Sequence, residues 1–268
     1  MEEYRKEKDI GKRSGVYTRL ADNELFFIKS IPFVGLDHQK KSELVSRYNQ
    51  MLSKTQTMKT IARFHNPIVQ NGILNAALDY CGENSLERII RETKETNNKF
   101  SEDFIWKLIA LICLDLYDLH TQSRPISHGR ITTDNVFRPN SSSIKVGICN
   151  LEDYERLTPQ DDMFQLGCLI YELLTLESYD HEMNSSFKER KLHNYNKDLS
   201  KLIIELTHSN PDRRPNVVYV LERLEVAVYV QEIKYENAKE INQILKGDID
   251  RLQIEIDENK KKLAAKNL

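Results

Sequence analysis

Apolar positions fall in short runs along the first third of the chain and at three- and four-residue spacing along most of the rest. Residues 10–36 read as short strands. The stretch GVYTRLADNELFFIKSI places an apolar or aromatic run on each side of the turn-like ADNE, the pattern of a hairpin. In KKSELVSRYNQMLSKTQTMKTIARF, the positions Leu44, Tyr48, Met51, Met58 and Ile61 predict a helix with one apolar side, broken near its Thr-rich middle. HNPIVQNGILNAALDYC returns to strand-like runs, and NSLERIIRET opens a helix behind an Asn84 or Ser85 cap.

From residue 101 the pattern is mostly helical. SEDFIWKLIALICLDLYDLH starts at a Ser101 cap and carries Phe104, Leu108, Ile112, Leu116 and Leu119 on one side, which predicts a long buried helix. DNVFRP and SIKVGICN read as two short strands joined by the turn PNSSS. DMFQLGCLIYELLT is apolar almost throughout but too short to cross a membrane, so it is expected as a core helix. KDLSKLIIELTHSN and NVVYVLERLEVAVYVQEI add two more helices. Strands with one helix, followed by a helical mass holding one small hairpin, imply an α+β fold in two lobes that meet near Tyr80 to Ser85.

The segment 232–268 differs in kind. It lacks proline, is dense in both charges, and carries Tyr235, Ala238, Asn242, Leu245, Ile249, Leu252, Ile256, Asn259 and Leu263 at alternating three-four spacing. Two Asn in that seam and Gly247 beside it weaken the pattern, and Ile241, Ile244 and Ile254 fall off it. The readings are a coiled coil over 235–263, with itself or another chain, a helix packed on its own domain, or a solvated helix. Parallel and antiparallel arrangements are both open.

Composition narrows the class. The 268 residues are 40% apolar and 30% charged, enough for a sizeable core and wrong for a disordered chain. A formal charge of −2 gives no overall attraction to nucleic acid. Cys81, Cys113, Cys149 and Cys168 form no CxxC pair, and are expected reduced and buried. The start MEEYRKEKDIGKR has no apolar core for a signal peptide, and no apolar run of membrane length occurs, so a cytoplasmic setting is expected.

Several motifs in order resemble the eukaryotic protein kinases. LFFIKSI looks like the strand bearing the ATP-contacting lysine, and LDYCGENSLERII looks like the hinge and next helix. HGRITTDNVFRPNSSSIKVGICNLE is similar to the catalytic loop running into the metal motif. DDMFQLGCLIYELLT and SNPDRRPN are similar to the central helix and arginine turn of the helical lobe. The resemblance implies a bilobal kinase-like fold with an N-lobe at 8–80, a C-lobe at 81–231 and a helical extension at 232–268. The extension is closest in character to the never-in-mitosis-type kinases.

The chemistry of that family rests on few groups: a carboxylate base, metal-binding side chains, a lysine held by a glutamate, and glycines over the phosphates. Lys29, His128, Asn135 and Asp162 stand at retained positions. The base position carries Arg130, which cannot accept a proton near neutral pH. Asp134 lies beside Asn135 rather than at the base position. The metal motif reads Ile148, Cys149, Asn150, and isoleucine offers Mg²⁺ no oxygen. The nearest acids, Glu152 and Asp153, need a rearranged loop to help. No acid occurs between Glu43 and Asp79, so Lys29 lacks its helix partner, whose position is expected near Gln56. Phe27 stands where the family has the alanine above the base, and is expected to crowd the nucleotide. Only Gly11 and Gly15 remain of the Gly-rich loop.

Between Asn150 and Asp162 only LEDYERLTPQD remains, too short for an activation segment and peptide platform. Arg214 must therefore find a new partner, with Glu152 and Glu155 as candidates. His128 is expected to pack structurally, Asn135 to cap its loop, Asp162 to accept backbone hydrogen bonds, and Cys149 to fill the usual phenylalanine position; Arg130 is open to a role as a partner-facing cation. Together these departures imply a catalytically inactive, cofactor-free scaffold or adaptor. It is expected to bind proteins, as a homodimer or through a heterotypic coil, and the resemblance implies a cytoskeletal or microtubule-associated assembly. The alternatives are a weak or atypical Ser/Thr kinase and an ATP-binding switch without transfer.

Overall fold

Alternating side chains on LFFIKSIP and ILNAALD build the centre of the first lobe. In the computed structural model, which describes residues 3–140, 143–152, 156–183 and 185–266, β1 (Tyr4–Gly11), β2 (Ser14–Arg19), β3 (Leu25–Pro32), β4 (Ile68–Gln70) and β5 (Ile73–Asp79) form an antiparallel sheet in the order β1-β2-β3-β5-β4. The ADNE turn closes on the Arg19 N–H to Glu24 carbonyl bond of 2.8 Å, with Asn23 at φ 63. Asn71 and Gly72, both at positive φ, make the tight β4–β5 turn.

The first strand starts earlier than the apolar pattern indicates. YRKEKDIG is an edge strand, exposed except at Tyr4, and its charges deter further strand pairing. α1 (His38–Lys54) is capped by Asp37 and buries Leu44, Arg47, Tyr48 and Met51. It ends at Thr55, so Met58 and Ile61 follow it as buried connector rather than as helix.

The second lobe is helical: α2 (Leu86–Glu95, capped by Ser85), α3 (Glu102–His120, capped by Ser101), α4 (Pro159–Thr175), α5 (Ser185–Leu192), α6 (Lys197–Leu206) and α7 (Val217–Glu222). β6 (Val136–Asn140) pairs with β7 (Ser143–Val146). The structure is a bilobal α+β fold with a β-rich N-lobe and a helical C-lobe. α5, rich in charge, had no sequence signal.

NVVYVLERLEVAVYVQEI is not one helix. It breaks at Arg223, and its second half begins α8 (Leu224–Lys266), which runs unbroken through the tail. α8 docks through buried Val226, Val230 and Ile233. Lys107 reaches Glu232 (2.9 Å) and Glu236 (3.6 Å), and Lys59 reaches Glu240 (3.0 Å). Beyond Glu240, the ion pairs and hydrogen bonds among the described residues stay within the helix. Leu245, Ile249, Leu252 and Ile256 are exposed, as are Ile241, Ile244 and Ile254.

The lobes are tied by buried polar groups. Asp115 on α3 accepts the N–H groups of Thr60 and Ile61, each at 2.7 Å. The Arg47 guanidinium donates to the Ser127 carbonyl. Val146 exchanges backbone bonds with Thr60 and Ala62, both 2.8 Å.

Candidate functional site: the interlobe cleft

β3, β5, the hinge and the second hairpin enclose a cavity of about 450 Å³, lined in part by Phe27, Leu78, Tyr80, Cys81, Phe137 and Ile148. Phe27 lies opposite Leu78 in the sheet register and is half-buried. Its ring forms part of the wall and leaves a space open, so the expected blockage of the cleft does not occur in full. Burial pushes the Cys81 thiol up to about 12, so it is an inert wall residue.

The loop below the cleft is held by one carboxylate. Asp162, fully buried on α4, accepts from the Gly129 N–H (2.6 Å) and the His128 N–H (2.7 Å), and lies 2.8 Å from His120 Nε2. Gly129 sits at φ +73, where a side chain would be strained and would meet Leu157. His128 is buried with Nε2 3.3 Å from the Gly147 carbonyl. Desolvation dominates its titration and lowers its pKa to about 4, so it is neutral at pH 7.

Asn135 spends both amide hydrogens inside the protein, donating to the Arg130 carbonyl (2.8 Å) and the Ile148 carbonyl (3.0 Å). Arg130 pairs with Asp134 at 2.8 Å. Burial opposes ionisation of Asp134, but hydrogen bonds from Thr132 and Arg130 outweigh it and hold the carboxyl below its usual range. Ile148 is 3% exposed, and Cys149 is fully buried with its thiol pushed up to about 12. Asn150 donates its N–H to the His128 carbonyl at 2.9 Å.

Three expectations need correction. Gln56 lies past the end of α1, where its amide bonds the Leu52 and Phe64 carbonyls, and it does not face Lys29. Leu44 instead shares a cavity wall with Glu152. Lys29 does have an acidic partner, Glu152, at 2.8 Å, supplied by the chain after the second hairpin rather than by α1. Arg214 therefore does not use Glu152. It donates to the His208 carbonyl (2.9 Å) and the Gln160 carbonyl (3.0 Å), lies 3.5 Å from Asp161, and covers the Phe164 ring. Asp153 and Glu155 lie outside the described residues.

Among the described residues, the donor set does not fit a magnesium ion. Asn135, whose N–H groups are both donated to carbonyls, offers a metal only its amide oxygen, Ile148 offers none, and Glu152 and Asp134 are held by Lys29 and Arg130. No group of three potential His, Cys, Asp or Glu ligands gathers among the described residues.

No protein-family model matches the chain. It is, however, similar to named kinases along most of its length: 21% identical to the G2-specific protein kinase nimA of Emericella nidulans over 82% of the chain, and 24% to the probable serine/threonine-protein kinase nek2 of Dictyostelium discoideum over 92%. The human serine/threonine-protein kinase Nek2 is 22% identical over 82%. The chain belongs to the eukaryotic protein-kinase superfamily. It spans 40% of the Emericella kinase, 69% of the Dictyostelium kinase and 58% of the human one.

Within this kinase frame, three positioning residues had not been singled out: Glu152 as the lysine's partner, Asp115 and Arg47. Arg47 had a signal, because it lies three residues from Leu44 and four from Met51, on the apolar face of α1. Among the described residues no helix is long and apolar enough to cross a membrane.

Proposed function

We propose that this kinase-superfamily chain is catalytically inactive and works as a protein-binding scaffold. One observation carries the reading: the groups that should move a proton and hold a metal are replaced and engaged elsewhere. Arg130 occupies the base position and is paired with Asp134, while Ile148 is buried at the metal-ligand position. A guanidinium cannot remove a hydroxyl proton, which forgoes roughly 10²- to 10⁴-fold of rate, and charge stabilisation by the metal is forgone as well.

The remaining open cavity supports a second reading, a nucleotide-binding switch without phosphoryl transfer. Calorimetric titration with ATP, with and without Mg²⁺ or Mn²⁺, separates the two. Inactivity predicts no labelled phosphate on any protein acceptor, and saturable micromolar binding without transfer selects the switch. Transfer that disappears in Lys29→Ala defeats both and restores a weak Ser/Thr kinase.

For the scaffold role, the exposed apolar side chains of α8 support a coiled coil over 235–263, with a second copy or another chain. Protein partners fit a near-neutral surface better than nucleic acid does. A cytoplasmic, cytoskeleton-associated location rests only on resemblance to the never-in-mitosis-type kinases.

A further inference from the structure

A cavity of about 660 Å³, separate from the cleft, opens between the β1–β2 turn, the start of α1 and the chain after the second hairpin. Its floor is aliphatic, from Ile31, Leu36, Leu44 and Leu151, and Val34 stands at the mouth, 89% exposed. Arg13, Lys40 and Arg156, all exposed, line it from three different elements.

Several other cations of this lobe are paired with acids: Arg5 with Glu7, Lys6 with Asp9, Lys8 with Glu83, and Arg19 with Asp22 and Glu24. Arg13, Lys40 and Arg156 make no ion pair among the described residues. The carboxylate in the cavity wall, Glu152, is taken by Lys29. Nearby Asp37 caps α1 by accepting the Lys40 backbone N–H, and Glu43 accepts from Gln39. Among the described residues, three positive charges thus surround an apolar hollow without a counter-charge of their own, an arrangement that favours the arrival of an anion.

We propose that this cavity docks an acidic peptide segment of a partner protein. An apolar side chain of the peptide fills the aliphatic floor, and neighbouring Asp or Glu side chains meet Arg13, Lys40 and Arg156. The aliphatic floor offers no ring on which to stack a base, and cations on three separate elements suit charges spaced along a chain. The site stands whether or not the cleft takes nucleotide.

Selection of a random dodecapeptide library on phage against the full chain, followed by fluorescence anisotropy with the enriched peptide, tests the proposal. The expected sequences combine Asp or Glu with an apolar residue. Their affinity falls about tenfold or more in Arg13→Glu/Arg156→Glu and falls with added salt, but does not change with Mg·ATP. Val34→Asp, at a fully exposed position, weakens binding as well. Should the double reversal not fold, as judged by its thermal transition, Arg13→Ala and Lys40→Ala singly serve the same purpose. An empty selection, peptides without acidic bias, binding that survives loss of the cations, or displacement by Mg·ATP overturns the proposal.

Discussion

His128 couples the loop below the cleft to pH. Its pKa is about 4 in the folded chain, because burial disfavours the cation, against roughly 6.5 when unfolded. Below pH 6.5 the unfolded chain takes up a proton that the folded chain refuses, so stability drops as pH falls from about 6.5 to about 4. The drop is about 3 kcal/mol from this residue. Urea midpoints at pH 7 and pH 4.5 should show a smaller pH-dependent loss in His128→Gln than in the parent; an equal loss in both would assign the effect elsewhere. Arg130→Asp, in contrast, should leave phosphoryl transfer undetected, because buried Ile148 still offers no oxygen where the principal metal ligand is needed and Asn135 supplies at most one. Radiolabelled transfer assays with Mg²⁺ and Mn²⁺ check it. At this scale, replaced groups were legible because each sits inside an ordered motif. The Lys29–Glu152 pair was not, because it joins residues 123 positions apart that no local pattern links.

Among the elements, α3 holds the two lobes in register through Asp115. Desolvation raises the pKa of that carboxyl, opposed by the hydrogen bonds from Ile61, Thr60 and Lys59. Removing the acceptor strands buried N–H groups, each costing about 1–3 kcal/mol. Asp115→Ala should therefore destabilise the fold by roughly 3 kcal/mol or more, and should speed amide exchange at Thr60 and Ile61 before the rest of the N-lobe exchanges. Denaturant unfolding with amide hydrogen exchange reads both, and protection left intact at those two amides would contradict the tie. Helices such as α3 could be read in advance because their caps and apolar spacing agree. β1 and α5 could not, because an edge strand and a short helix that buries the stem of a lysine, Lys188, carry charges where pattern reading seeks apolar residues.

On the scale of the whole molecule, α8 carries the surface on which the proposed association would rest. Its 43 residues make a rod of about 64 Å, and the part after Glu240 has an exposed apolar stripe that an isolated helix cannot bury. With Leu245 and Leu252 at d and Ile249 and Ile256 at a, the e positions are Lys239, Lys246, Gln253 and Lys260, and the g positions include Asp248 and Glu255. A parallel pair sets each Glu255 against Lys260 of the other helix. An antiparallel pair centred between Ile249 and Leu252 sets Asp248 against Glu255 and Lys239 against Lys260, two like-charge pairs. Buried Asn does not discriminate, since Asn242 meets itself in one arrangement and Asn259 in the other, so the flanking charges favour the parallel form. A self-associating α8 therefore predicts a dimer for the full chain in sedimentation, and a monomer on truncation after Glu240. Asn242→Cys should form an interchain disulfide under mild oxidation, which only the parallel arrangement brings into reach. Sedimentation of the full chain as a monomer at tens of micromolar would assign the stripe to a different protein, and a dimer that resists this crosslink would reverse the orientation.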